Sequence, residues 1–255
     1  MDESTIVPFL RALAYESAQE ILPYYYNPYL ATQIKKDGSP VTIADQQAET
    51  ILRKRIKKKF PNHGIVGEEY DNERTDADYV WYLDPIDGTR SFIAGCPLFG
   101  TLICLTFKRK PIWGVVYHPV LKQMIIGNNH KTVLNGEVVR VSKKDCLSKA
   151  LVLTTDYQNI DTYQNIDLWN KFTKKVAMTR TWGDCYGYMT LASGRAEAMV
   201  DPILEPWDLM ALIPIIQGAG GVITDYQGNP PHKGSSIIAS TPFLHTEIIT
   251  LLNQS

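Results

Sequence analysis

The chain has 255 residues, 44% hydrophobic and 21% charged, which is enough for a sizeable core in one large or two small domains and ordinary for a soluble globular protein. Its formal net charge of −1 provides no field to gather nucleic acid or an anionic membrane. The acidic start MDEST, the lack of a long apolar run, and four scattered cysteines without a C-x-x-C pair argue against a leader, a membrane span, a disulfide frame or a zinc site, and for a cytoplasmic protein with reduced thiols.

Ile6, Phe9, Leu10, Leu13, Ala14, Ser17 and Ile21 recur at helical spacing and predict a helix over 3–22, which Pro23 should end. KKDGSPVT (35–42) reads as a loop, after which Thr42 suits the N-cap of a helix carrying Ala48, Ile51, Leu52 and Ile56 on one face and ending near Phe60-Pro61. The basic run Arg53-Lys54-Arg55-Ile56-Lys57-Lys58-Lys59 reads as a solvated face near that helix's C-terminus. Gly64 to Val66, Tyr79 to Leu83, Gly100 to Phe107, Ile112 to Tyr117 and Val120 to Gly127 are strand-like, and Leu134-Asn135-Gly136-Glu137 is a strong hairpin signal. Beyond residue 150 the pattern alternates. A strand at Ala150 to Thr154, helices at Asp167 to Lys175 and Gly183 to Gly194, and a strand at Ala198 to Val200 come first. A helix opened by Trp207-Asp208 follows; Pro214 should kink it and Gly218 to Gly221 should stop it before a strand at Val222 to Thr224. The organisation expected is an α+β lobe with an antiparallel sheet over 1–145 and an α/β lobe over 146–255, together one catalytic unit.

The chemistry concentrates in WYLDPIDGTRSF (81–92). A strand delivers Asp84, Pro85 removes an N–H and should turn the chain so that the Ile86 carbonyl points back beside the carboxylates, Asp87 follows, and Gly88 tolerates tight-turn dihedrals. Thr89, Arg90 and Ser91 suggest a short helix whose first amides, Gly88 and Thr89, suit a phosphate. Such a stretch is a plain turn or a metal site; its hard oxygen donors, with no His or Cys, point to Mg²⁺ if it is the latter. Gly67-Glu68-Glu69 puts a carboxylate at another strand end, or is a solvated acidic turn. Asp208 in Pro206-Trp207-Asp208 and Asp45 both sit in first helical turns, where a cap or a favourable helix charge is the commoner role.

Taken together, Gly67-Glu68-Glu69, Asp84 to Thr89, Asn135-Gly136, Trp207-Asp208 and Gly218 to Gly221, in this order, resemble the inositol monophosphatase family of Mg²⁺-dependent phosphatases over roughly Lys36 to Asp225. The resemblance implies a layered α-β-α-β-α sandwich of the inositol monophosphatase and sugar phosphatase type, and a homodimer. It implies that Glu68, Asp84 and the Ile86 carbonyl hold one Mg²⁺, that Asp84, Asp87 and Asp208 hold a second, and that Glu68 assists a third ion or its waters, with Mn²⁺ able to substitute. Thr89 with Asp45 would polarise the water that attacks phosphorus in line, without a phosphoenzyme, and the Gly88 and Thr89 amides would cradle the phosphate. A phosphomonoester dianion repels hydroxide, so this chemistry needs the cations those carboxylates gather.

For the ester, DGTRSFI at 87–93, Gly95-x-Pro97, Gly100 to Ile103 and Gly183-Asp184-Cys185-Tyr186 resemble the histidinol-phosphatase branch, which serves histidine biosynthesis. Histidinol phosphate carries an ammonium and an imidazole, so Asp184 and Asp201 make electrostatic sense as substrate-binding groups beside Arg90 and Asp208. Arg90 as a surface arginine and Asp201 as a solvated strand end are the plainer readings, and Arg180 is either a pocket residue or a surface ion-pair partner. The alternatives are inositol-1-monophosphatase activity and a non-catalytic module binding a phosphorylated metabolite; no nucleic-acid or membrane partner is expected.

Overall fold

A computed structural model describes residues 2–35 and 38–254. Helix α1 (Glu3–Ile21) ends at the predicted proline, which lies in a single 3₁₀ turn, Leu22–Tyr24. The predicted loop at 35–42 is only partly a loop. Lys36 and Asp37 lie outside the described residues, whereas Pro40–Thr42 (β2) pairs antiparallel with Thr32–Ile34 (β1) in a two-stranded hairpin. No local pattern announces this pairing, because β1 is exposed throughout. Helix α2 (Ile43–Lys59) starts with a capping box: Thr42 Oγ1 accepts from Ala44 N at 3.2 Å and Asp45 Oδ2 accepts from Thr42 N at 2.8 Å.

The next strands form a seven-stranded sheet in sequential order: β3 (Gly64–Gly67), β4 (Tyr79–Asp87), β5 (Gly100–Phe107), β6 (Lys110–His118), β7 (Gln123–Gly127), β8 (Thr132–Leu134) and β9 (Glu137–Val138), with the five-residue helix α3 (Thr89–Ile93) between β4 and β5. The predicted antiparallel sheet is corrected at one edge, since β3 and β4 run parallel. Val120 stands in the turn before β7, not in a strand. Asn135 and Gly136, with φ of 50° and 96°, make the predicted hairpin turn between β8 and β9.

The remaining strands form a mixed five-stranded sheet in the order β11-β10-β12-β14-β13. Along the chain these elements are β10 (Leu151–Leu153), α4 (Tyr157–Tyr163), α5 (Ile166–Thr173), β11 (Met178–Arg180), α6 (Asp184–Ala192), β12 (Ala198–Asp201), α7 (Pro206–Leu209), α8 (Leu212–Gly218), β13 (Val222–Thr224), β14 (Ile237–Ser240) and α9 (His245–Asn253). The single helix expected at 207–218 is two helices; the break at Met210 and Ala211 falls where the Pro214 ring meets the carbonyl four residues before it.

Alternation along the strands builds the layers. Ile103 and Leu105 pack with α1 and α2, whereas Leu102 and Cys104 pack with α6, α7 and α8. On the other sheet Leu153, Met199 and Ala239 face those same central helices, while Val152, Val200 and Ile238 face α4, α5 and α9. The order is therefore helix, sheet, helix, sheet, helix, and central strands buried on both faces read as unbroken apolar runs. Gly114 and Gly127 let the middle helices lie directly on the larger sheet: a Cβ at Gly114 would stand 2.0 Å from the Ala211 carbonyl oxygen.

Two buried histidines make stability depend on pH. Burial lowers the pKa of His118, which bonds the Phe99 carbonyl at 2.8 Å, to about 4, and it lowers that of His245, held by Thr224 and Ser240, to about 4. Both are therefore neutral in the folded chain where the unfolded chain already binds a proton. Their contribution is intact above pH 6.5 and is lost as pH falls toward 4, at up to about 1.4 kcal/mol per pH unit for each. Melting His118→Gln beside the parent over this range is expected to show a shallower decline in the variant; parallel curves would reject the assignment.

Candidate active site

Residues three apart on a regular strand face opposite sides, yet Asp84 and Asp87 converge with Asp208 because the ladder slips between them. Asp84 pairs with Leu102 and Asp87 with Gly100, so one strand gains a residue in a β-bulge. This corrects the expected turn at Pro85: β4 runs on to Asp87, Pro85 contributes no donor to the bulge, and its carbonyl accepts from Thr101 Oγ1 at 2.8 Å. Gly88 follows with φ +87°, and a Cβ there would sit 2.9 Å from Asp184 Oδ2, so the glycine is required by backbone and by space.

Asp208 occupies the first turn of α7, where its Oδ2 accepts from Glu205 N at 2.9 Å; the cap is Glu205, not Asp208. Ligand oxygens of Asp84, Asp87 and Asp208 lie within 4.8 Å of one another. Glu68, just past the end of β3, lines the cavity with Asp87 and Asp208 and crowds Asp84. Burial, then the charges of Glu68, Asp87 and Asp208, pushes Asp84 well above the usual carboxylate range; burial, then Asp184 and Asp208, does the same to Asp87. Asp208 is raised by burial to about 7. Asp84 Oδ1 is buried without a hydrogen-bond partner among the described residues. Converging carboxylates that repel one another, one with an orphaned oxygen, fit a hard divalent cation.

Behind this cluster Thr89 Oγ1 donates to the Ile86 carbonyl at 3.0 Å and lies 3.5 Å from Asp45 Oδ1. Asp45 is fully buried, and burial, partly offset by its bonds from Thr42, raises its pKa to about 6. Lys35, which was not singled out in the sequence, places Nζ 2.6 Å from Glu68 Oε1 and 2.7 Å from Glu69 Oε1. Burial works against its charge, but the two carboxylates prevail and raise its pKa. Burial also raises Glu69, to about 7.

The cavity, about 310 Å³, continues past Gly88, Thr89 and Arg90 to a rim of Thr155, Asp156, Asn159, Asp184 and Tyr188. Asp184 has φ +49° and is raised by burial, then by the charge of Asp201, to about 7. Its neighbour Cys185, one of four unpaired cysteines, donates its backbone N–H to Asp87 Oδ2. Asp201 is not a solvated strand end. It is buried, and its oxygens accept from Thr155 N at 2.8 Å, Thr155 Oγ1 at 3.1 Å, Thr154 Oγ1 at 3.4 Å and the Tyr188 phenol Oη at 2.9 Å. With that set of donors already in place, Asp201 organises the rim: Thr155 Oγ1 in turn accepts from Asp184 N at 2.9 Å. Arg180 does not line the cavity and bonds its neighbour's carbonyl. The signal for the missed rim was present, since Thr154-Thr155-Asp156 follows an apolar strand as Glu68 does.

The sequence profile described as the inositol monophosphatase family matches residues 2–255. Among curated proteins the chain is 42% identical over 84% of its length to the Arabidopsis thaliana "Bifunctional phosphatase IMPL2, chloroplastic", spanning 62% of that protein. It is 38% identical to the histidinol-phosphatase of Chlorobaculum parvum, over 85% of this chain and 84% of that one. Among solved structures, an inositol monophosphatase from Zymomonas mobilis superposes with a TM-score of 0.85 at 34% identity, covering 95% of both chains.

Proposed function

The chain belongs to the inositol monophosphatase family of phosphatases, and from that premise we propose that it hydrolyses L-histidinol phosphate to L-histidinol and phosphate with Mg²⁺ as its cofactor. The observation carrying this reading is the arrangement of carboxylates: a cluster of buried Asp84 with half-buried Asp87 and Asp208 at one end of the cavity and, past Gly88 and Thr89, the further carboxylates Asp156 and Asp184. The first suits a metal-assisted phosphomonoesterase and the second a leaving alcohol that carries positive charge. Similarity to proteins named histidinol-phosphatase supports it; relatives named inositol monophosphatase favour inositol 1-phosphate as a second substrate.

Glu68, Asp84, Asp87, Asp208 and the Ile86 carbonyl would hold divalent ions, whose chemistry is to neutralise the phosphate dianion and lower the pKa of the attacking water. Thr89 Oγ1, lying between Asp45 and the Ile86 carbonyl, is the atom through which a proton passes toward the Asp45 carboxyl. Glu68 orients the water, the Gly88 and Thr89 amides receive the phosphate oxygens, and Asp184, steadied through Thr155 by Asp201, faces the ammonium or imidazole. The same reading includes a cytoplasmic homodimer and two lobes meeting after residue 145. In support of the lobes, the strands of the larger sheet end at Val138 and those of the smaller begin at Leu151. No helix among the described residues is long and apolar enough to cross a membrane.

The test is phosphate release from histidinol phosphate and inositol 1-phosphate, each with and without Mg²⁺. The expected result is Mg²⁺-dependent release with kcat/KM favouring histidinol phosphate by about 10-fold or more, and an Asp184→Asn variant that loses at least that margin on histidinol phosphate relative to inositol phosphate. Equal or reversed preference in the parent rejects the substrate.

A further inference from the structure

The basic run on α2 contains one charged residue that is buried. Arg53 is 6% exposed, and its guanidinium donates to Glu49 Oε1 at 2.7 Å, the Tyr70 carbonyl at 3.0 Å, the Asp71 carbonyl at 3.0 Å and Glu73 Oε1 at 3.1 Å. Glu49, one helical turn earlier and 0% exposed, uses its other oxygen to accept the Glu69 N–H at 2.8 Å. One ion pair on α2 therefore grips three successive residues, Glu69, Tyr70 and Asp71, through their backbone. The far end of the segment is anchored as well, because Glu73 and Ile65 exchange both backbone hydrogen bonds at 2.8 Å.

The pair also explains why the motif begins with glycine. A Cβ on Gly67 would lie 2.1 Å from Glu49 Oε1 and 2.9 Å from Arg53 Nη2. Glu68 is thus bracketed, with the ion pair pressed against the residue before it and bonded to the residue after it. Lys35 holds the Glu68 carboxylate, and α2 fixes the backbone on either side of it.

We propose that Glu49 and Arg53 are positioning residues for the cation site, aiming Glu68 at Asp84 by clamping the backbone from Gly67 to Asp71. The proposal rests on the metal-binding reading above. A guanidinium is suited to this task because its planar fork reaches two carbonyls and two carboxylates together, which an ammonium cannot reproduce. Arg53→Lys therefore keeps the charge and removes the fork.

A staple that merely holds α2 to the sheet would lower the melting temperature and leave cation affinity alone, so the measurement is Mg²⁺ binding without substrate. Calorimetry, and the Mg²⁺-induced rise in melting temperature, are read for the parent, Arg53→Lys, Glu49→Gln and the gentler Glu73→Ala, whose side chain is partly exposed. The expected result is a 10- to 100-fold weaker Mg²⁺ affinity in the first two variants, about that of losing a partner that orients a ligand. A smaller loss is expected in Glu73→Ala, whose contact with Arg53 is one of several. Parental Mg²⁺ affinity in Glu73→Ala and in every core variant that folds overturns the proposal. A parent that binds no Mg²⁺ overturns the metal reading itself.

Discussion

Asp84→Asn is expected to reduce Mg²⁺-dependent phosphate release by more than about 100-fold, beyond what loss of a mere supporting partner costs, while making the cation-free protein harder to melt. The two effects share one cause. Asp84 is buried among Glu68, Asp87 and Asp208, and burial together with those charges holds its pKa well above the usual carboxylate range. Without a cation its negative charge is a liability to folding, and an amide of nearly the same shape removes it. For a chain of this size each kcal/mol relieved raises Tm by about 2–4 °C. The same substitution removes an oxygen donor, so Mg²⁺ should stabilise the parent strongly and the variant little. Melting both proteins with and without Mg²⁺, beside the rate assay, checks the account. A variant that loses activity and also melts lower without Mg²⁺ would show that Asp84 is a structural group.

Gly114→Ala should be among the most damaging single methyls in the molecule. Its Cβ would stand 2.0 Å from the Ala211 carbonyl oxygen and 2.9 Å from Pro214 Cγ, so either β6 or the α7–α8 pair must move. Overpacking of this kind costs about 1–3 kcal/mol and more where the obstacle is backbone, and Tm should fall by about 6 °C or more. Since α7 carries Asp208, cation affinity should fall with it. Gly136→Ala is the control, because at φ +96° it meets nothing within 4 Å and costs only the backbone penalty of about 1–2 kcal/mol. If Gly114→Ala melts and binds Mg²⁺ as the parent does, the helix pair is not fixed by contact with that strand.

Much of the fold was legible because its signals are local. The Thr42 cap, the Asn135-Gly136 turn and the apolar strands each state their conformation within a few residues, and the structure places them where those residues ask. The site was legible as a set of carboxylates but not as a geometry. Asp-Pro and Asp-Gly advertise a turn, whereas the structure keeps β4 extended through a bulge, because β5 continues the ladder and Thr101 takes the Pro85 carbonyl. Arg53 looks identical in sequence to the lysines that follow it; only the fold shows that acceptors from the Tyr70–Glu73 segment meet it. Asp201 likewise reads as a free carboxylate until Thr154, Thr155 and Tyr188, distant in sequence, take up its oxygens. What escaped prediction was in each case a partner supplied from elsewhere in the chain.

The left-handed backbone at Asp184 has an evolutionary consequence. A side chain there carries a conformational penalty of about 1–2 kcal/mol that glycine would not, and burial of the carboxylate beside Asp87 and Asp201 adds to the disadvantage. Folding by itself favours erasing this acid, and mutational drift would meet no resistance from thermodynamics in doing so. On the substrate reading proposed above, the aspartate stands there for what enters the cavity, and exchanging it would change the alcohol accepted while leaving Asp84, Asp87 and Asp208 in place.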